Sequence, residues 1–400
     1  MKGSNVLKKL WLLSNLLLLP LAAGSDLANY LSREKNLIFD YEEEANRLES
    51  AVLRKSWISP LMLSYGESRS DQPWGKEARD STFSVGISQP IFKSGGIYYA
   101  VKFANAQEGA TAAQIRLQRR QMITQAIEIL FDLRKNRLQQ RQLRLKIRND
   151  EIDIRRKREQ YDAGVIDSSF LNQAILQRNQ DRTSLLVLQL AEKNLRNAFS
   201  LLSDKNPDNL RLPHLRLISR RRYRQNNLEL EAQRLQLAGS EYNSKMTWSK
   251  YLPTLSVNAD YYDTDSNRPL IGMHDDYYRY GFQISMPLSV NAPQDIEAGR
   301  VRYLQQAVQL QDKRKSVASE YKLVLDTIAI IDKKIALARS DEKLYRSLLA
   351  STKEQAQAGQ KTQLDVETMR NAMEMAKLDA KVYEVEKQIQ LLKLYGKIHE

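Results

Sequence analysis

The sequence predicts a mainly α-helical chain with a small β part, in which one plan is written twice. Three observations predict it. Pro60 and Pro253, Pro90 and Pro287, and Gly164 and Gly359 each stand about 195 residues apart, the signature of an internal repeat. Four short segments alternate apolar and polar residues with period two. Stretches of about 70 residues, from Pro90 to Gly164 and from Pro287 to Gly359, carry helical periodicity. Gly and Pro are few, while Leu, Ala, Gln, Lys, Arg and Glu abound, as long helices require.

The chain opens with Lys2, Lys8 and Lys9, an apolar run from Leu10 to Leu21, and Ala22-Ala23-Gly24. That order reads as an export signal, too short to span a membrane as a helix. Residues 26–57 carry Leu27, Leu31, Leu37, Ala45, Leu48 and Val52 among charges, an amphipathic helix. Then the period changes. Leu61, Leu63 and Tyr65 alternate with Met62, Ser64 and Gly66. After a turn-rich stretch from Ser68 to Asp80, Phe83, Val85 and Ile87 alternate with Ser84, Gly86 and Ser88. From Gly96 the helical period persists past Ile154, breaks over Tyr161–Ser169, and returns through Leu171, Ala174, Leu185, Leu188, Leu195 and Ala198. Pro207 and Pro213 mark a joint.

The second copy repeats this order. Leu255, Val257, Ala259 and Tyr261 alternate with Ser256, Asn258 and Asp260. Tyr280, Phe282, Ile284 and Met286 alternate with Gly281, Gln283 and Ser285. A helix runs from about Gln294 to Ala358, breaks at Gly359 and returns on Ala372, Ala376 and Ala380. The chain therefore divides into an export signal over 1–24, a first structural repeat over 25–202, a linker over 203–222 and a second repeat over 223–400. The repeats hold β-hairpins at 59–92 and 253–288 and helical-hairpin tips at 161–169 and 356–366. A helix of about 70 residues spans roughly 110 Å, so the paired hairpins predict a rod or a tube wall.

Composition excludes several classes. The chain has no cysteine, so disulfides, thiolate metal sites and an N-terminal lipid-bearing Cys are out. Its three histidines, His214, His274 and His399, are scattered. No phosphate loop, nucleophile–base pair or paired catalytic carboxylates appear; neither an enzyme nor a cofactor is expected. A net charge of +14 raises nucleic acid as a partner, but the basic residues are interleaved with Asp and Glu. The one tight cluster, Arg220-Arg221-Arg222-Tyr223-Arg224, reads as a solvated linker, and no nucleic acid is expected. Asp263-Thr264-Asp265-Ser266-Asn267 opens like a calcium loop, but Arg268 stands where glycine is needed, and an inter-strand loop is the plainer reading. Met369 and Met373 share a helix face, where core filling outweighs metal binding; no metal is expected.

The strand faces carry the functional argument. One face is rich in Leu, Val, Ile, Phe and Tyr; the other holds Ser84, Gly86, Ser88, Ser256, Asn258, Asp260, Gln283 and Ser285. A soluble secreted coiled-coil scaffold would pack the apolar face on a core. A transmembrane barrel would turn it to lipid and line a pore with the polar set. The export signal and two aromatic clusters favour the barrel: Trp57, Tyr65, Phe83, Phe92, Tyr98 and Tyr99, and Tyr251, Tyr261, Tyr262, Tyr277, Tyr278, Tyr280 and Phe282. Four strands cannot close on themselves, and an open edge in lipid leaves backbone groups unpaired. Identical copies must each contribute four strands to one shared barrel.

Taken together, the chain resembles the TolC-type outer-membrane efflux proteins over about residues 26–397. The resemblance rests on the duplicated plan, on Ser88-Gln89-Pro90-Ile91-Phe92 followed by Ser94-Gly95-Gly96, and on tips reading Tyr161-Asp-Ala-Gly-Val-Ile-Asp167 and Ala358-Gly-Gln-Lys-Thr-Gln-Leu-Asp-Val366. It implies a homotrimer with a twelve-stranded barrel in the outer membrane of a Gram-negative bacterium, in contact with its lipid, and a helical tunnel through the periplasm. It implies a passive duct whose tips meet a periplasmic adaptor tied to an inner-membrane pump. It places an acidic gate ring at Asp365 and a closing basic residue at Lys361. Helix capping is the alternative role of Asp365. Thr368 and Ala356 depart from the family's second acidic position and its tyrosine. Gly164, Val165, Ile166 and Asp167, with Gly359, Gln360, Lys361 and Thr362, would meet the adaptor.

Overall fold

The computed structural model describes residues 29–70, 77–266 and 275–399. The expected export signal at 1–24 lies outside the described residues, as do the segments 71–76 and 267–274 between paired strands. In chain order the elements are α1 (Arg33–Lys55), β1 (Met62–Ser70), β2 (Ala78–Phe92), α2 (Gly96–Asp162), α3 (Ser168–Ser200), α4 (Arg220–Gln225), α5 (Leu228–Ser249), β3 (Thr254–Ser266), β4 (Asp276–Ser285), α6 (Ala292–Gln357) and α7 (Gln363–Tyr395).

Side-chain caps open several of the helices, though not the two longest. Ser32 accepts from the Lys35 N–H at 3.3 Å to open α1, with Glu34 in its first turn and Arg54 and Lys55 in its last. Asn227 opens α5 by accepting from the Leu230 N–H at 3.0 Å. α2 and α6 have 67 and 66 residues, about 100 Å each. α3 and α7, with 33 residues each, run back along half that length.

Inter-helix bonds give the lateral order. α1 meets the early part of α2 through Asn46 Nδ2 to the Glu108 carbonyl, 3.1 Å, and Arg119 to Asp40, 3.0 Å. α3 meets the later part through Asn136 Nδ2 to the Leu188 carbonyl, 3.1 Å. On the other side of α2 stand α5, through Arg116 and Glu231 at 3.0 Å, and α7, through Gln142 and Asp379 at 2.7 Å. α6 packs beyond these, through Gln233 of α5 to Gln306 and Lys387 of α7 to Asp332. The result is a wall one helix thick.

The apolar core lies within this wall. One cluster gathers Leu31, Phe39, Ile127, Phe131, Phe199 and Leu392; a second gathers Ile218, Tyr223, Leu230, Val317, Tyr321 and Leu394; Leu138, Leu378 and Val382 form a third. Within the linker expected at 203–222, the segment 203–219 forms a belt strapped across the helices. Leu210, Leu212 and Leu215 pack on the first cluster. Its backbone is satisfied by side chains from afar. Gln388 accepts from the Leu215 N–H at 2.7 Å and donates to its carbonyl at 3.4 Å. Tyr30, Tyr395 and Tyr321 donate to the carbonyls of Arg211, Arg216 and Ile218. The arginines of the 220–224 cluster are exposed as expected, while Tyr223 between them is fully buried.

The strands form one antiparallel sheet in the order β1-β2-β3-β4. β2 and β3, joined only through α2–α5, pair along most of their length. The register sorts side chains as the alternation predicts. Leu63 faces Val85, which faces Tyr261, which faces Tyr278; Gly86 faces Asp260, which faces Arg279. The strands outrun their expected ends: Ser68–Ser70 and Ala78–Asp80 pair with each other, and Asp263–Ser266 belongs to β3 rather than to a loop. There polar residues occupy both faces, so hydrophobic periodicity vanishes, and cross-strand bonds hold the pairing instead. Glu67 pairs with Arg69 at 2.8 Å and Arg79 at 3.1 Å, and the Ser266 hydroxyl donates to Asp80.

Candidate functional site

Three regions bear on function: the hairpin tips, a carboxylate pair inside the first hairpin, and the two faces of the sheet.

Both tips end their long helix in the same way. Gly164 and Gly359 adopt φ of 73° and 75°, which a side chain resists. The Gly164 and Val165 N–H groups return to the Tyr161 and Gln160 carbonyls at 2.9 and 2.8 Å; those of Gly359 and Gln360 return to Ala356 and Gln355 at 3.2 and 2.8 Å. The next helices start differently. Asp167 caps α3 by accepting from the Ser169 N–H at 2.7 Å, which holds its carboxyl below the ordinary range. Thr362 and Asp365 form a reciprocal capping box: the Asp365 N–H donates to Thr362 Oγ1 at 3.2 Å, and the Thr362 N–H to Asp365 Oδ2 at 2.9 Å. Gly164, Val165, Asp167, Gly359, Gln360, Lys361 and Thr362 are exposed, and Ile166 is half-buried.

The capping role weighed for Asp365 is thus present. Its other oxygen accepts from Arg156 of α2 at 2.6 Å, tying the second tip to the first hairpin. Hydrogen bonds from the Thr362 N–H and hydroxyl, then the charges of Arg156 and Lys361, hold the Asp365 carboxyl low. Arg156 escaped sequence reasoning, because its partner stands 209 residues away. Farther from the tips, Asn371 of α7 donates to Asn149 of α2 at 2.8 Å.

Sequence reasoning also missed a carboxylate pair between α2 and α3. Asp181 is buried; it takes Lys146 at 2.9 Å and Gln177 at 3.2 Å. Burial opposes its ionisation, but those bonds hold its carboxyl below the usual value. Asp150 beside it is pushed up to about 6 by burial and by Asp181, and its Oδ2 is buried without a hydrogen-bond partner. Among the described residues no group of His, Cys, Asp and Glu could hold a metal ion.

The sheet has one polar and one apolar face, and the apolar face is largely exposed. Ser84, Gly86, Ser88, Ser256, Asn258, Asp260, Gln283 and Ser285 share one face. There Ser88 donates to Asn258 Oδ1 at 2.6 Å, and the Ser64 and Ser84 hydroxyls meet at 2.6 Å. The other face leaves Leu63, Tyr65, Tyr278, Phe282 and Ile284 exposed, and Tyr280 is 85% exposed. The aromatic cluster divides between faces. Tyr261 meets Tyr278 on the apolar side with ring centroids 5.0 Å apart, whereas Tyr262 stacks on Tyr277 on the polar side. No described helix is long and apolar enough to cross a membrane.

Residues 220–397 match the family model described as outer membrane efflux protein. Among curated proteins no sequence relative matches. Solved structures match in fold over most of the chain. The outer membrane protein VceC of Vibrio cholerae is 16% identical, with TM-score 0.71, over 91% of this chain and 93% of that one. The CmeC outer membrane channel of Campylobacter jejuni is 16% identical, with TM-score 0.74, over 93% and 84%. The MtrE outer membrane channel of Neisseria gonorrhoeae, in its open state, is 14% identical, with TM-score 0.69, over 93% and 88%. In sequence over residues 220–397 and in fold over nearly its whole length, the chain resembles the TolC-like outer-membrane efflux protein family.

Proposed function

We propose that the chain is one subunit of a passive exit duct in the outer membrane of a Gram-negative bacterium, a channel and not an enzyme. The observation that carries this reading is the sheet: among the described residues its greasy side is bare, its polar side is the more sheltered, and both edge strands lack a neighbour. In lipid each open edge would leave unpaired backbone groups. β1 and β4 run in opposite directions, so copies joined edge to edge stay antiparallel. Three copies would close twelve strands around a lumen lined by the polar set named above. A soluble scaffold would need something to cover Tyr280 and its neighbours, and no described element does.

In this reading the two structural repeats supply matching hairpins, which extend as a periplasmic tunnel. The tips at Gly164–Asp167 and Gly359–Thr362 face an adaptor protein linked to an inner-membrane pump, which supplies the energy and chooses the cargo. Asp365 and Lys361 stand at the entrance. Both Asp365 oxygens are occupied in this conformation, so an acidic ring that meets passing ions requires Arg156 to turn away. The purified chain should form conducting oligomers in planar bilayers, and Asp365→Asn should lower their cation preference. Ion preference unchanged from the parent would remove Asp365 from the constriction; absence of any conductance would remove the duct.

A further inference from the structure

We propose that Arg279 and Asp260 form a charge-balanced collar on the polar face of the sheet, and that this pair sets the ion preference of the barrel end of the duct. The inference rests on the reading just given, in which that face lines the lumen. The described strand residues of that face carry three charged side chains. Asp80 stands near the start of β2 and accepts from the Ser266 hydroxyl. The other two are Asp260 and Arg279, directly opposite one another in the register, amid Ser, Thr, Asn, Gln, Gly and Tyr.

The pair is built in. Gly86 faces Asp260 from β2, and a Cβ there would stand 2.3 Å from Asp260 Oδ1, so the missing side chain gives the carboxylate its seat. Arg279 reaches Asp260 Oδ2 through Nε at 3.2 Å and Nη2 at 3.0 Å. Nη2 also donates to the Tyr262 hydroxyl at 2.7 Å, and the guanidinium lies 5.1 Å from the centre of the Tyr262 ring. Tyr277 stacks on Tyr262 from the other strand. Held this way, the Arg279 side chain still stands 65% exposed, toward the space that the polar face borders.

Cross-strand charge pairs also pin register. A pin alone would alter assembly yet leave the ion preference of assembled channels unmoved, and that difference is measurable. The full chain is reconstituted in planar bilayers under a potassium chloride gradient, and the reversal potential is read. Asp260→Asn leaves arginines without counter-charge and should shift the potential toward chloride. Arg279→Gln leaves carboxylates bare and should shift it toward potassium. The double variant should return close to the parent. Parental values for both single variants, or shifts of the same sign, overturn the proposal.

If the single variants do not assemble, Gly281→Cys gives the answer. Gly281 lies one step along β4 on the same face, a side chain there meets nothing within 4 Å, and the chain has no other cysteine. Modification by a cationic methanethiosulfonate should reduce the cation current, and a current left unchanged overturns the collar. Failure of the duct itself looks different, since the parent chain would then not conduct at all.

Discussion

Asp150 is a carboxyl whose environment opposes its ordinary chemistry. Burial and the neighbouring Asp181 raise its carboxyl to about 6, above its value in the unfolded chain. The folded state therefore holds that proton more tightly. Its contribution is fully present below the unfolded value and is lost as pH rises through about 6. Asp181 has the opposite sign: its lowered carboxyl adds stability above its unfolded value, lost only as pH falls through the folded one. Asp150→Asn should thus raise stability at neutral pH by about 1 kcal/mol after allowance for solvent screening, with little effect near pH 4. Thermal melts at the two pH values check this; equal shifts at both would refute it. None of this was legible in the sequence, because the contact joins two helices across a reversal and neither residue belongs to a motif. A capping role for Asp365 was legible, though not the reciprocal box it forms with Thr362. The tie from Arg156 was not.

At the scale of elements, the glycine-marked reversals were the most readable part of the chain. Gly359 has nothing within 4 Å of a would-be Cβ, so the strain of a side chain there is all in the backbone. Gly359→Ala should destabilise the second hairpin by about 1–2 kcal/mol. Gly281→Ala, equally uncrowded but without a positive φ, serves as a control with a much smaller effect. Similar losses in the two melts would show that φ is not the cause. Strand ends were less readable. Beyond Tyr65 the partners are Glu67, Arg69 and Arg79, whose pairing is electrostatic and invisible to a hydrophobic pattern. The belt at 203–219 has no period of its own. Its order comes from Gln388, Tyr30, Tyr321 and Tyr395, all remote in sequence.

At the scale of the whole molecule, helix length foretold a rod or a wall rather than a ball; the chain forms a wall, and that wall has two unfinished sides. α6 exposes Leu323, Ile330, Leu337 and Leu344 at regular heptad spacing, and α1 and α3 expose Tyr41, Leu48, Leu176, Leu186 and Leu190 on the opposite margin. Bare stripes of this kind mark contact surfaces. Ile330→Glu with Leu337→Glu should leave the helix content of a subunit unchanged, since both side chains already face solvent, and should abolish the oligomer. Sedimentation in detergent decides: an intact oligomer places the subunit contact elsewhere. The three apolar clusters have a further consequence for biogenesis. All of them lie among the helices and the belt strapped across them. The helical half carries its own apolar core, whereas the apolar face of the paired strands meets no described element. In the proposed duct the helices would hold together before insertion, and the sheet's apolar face would be covered last.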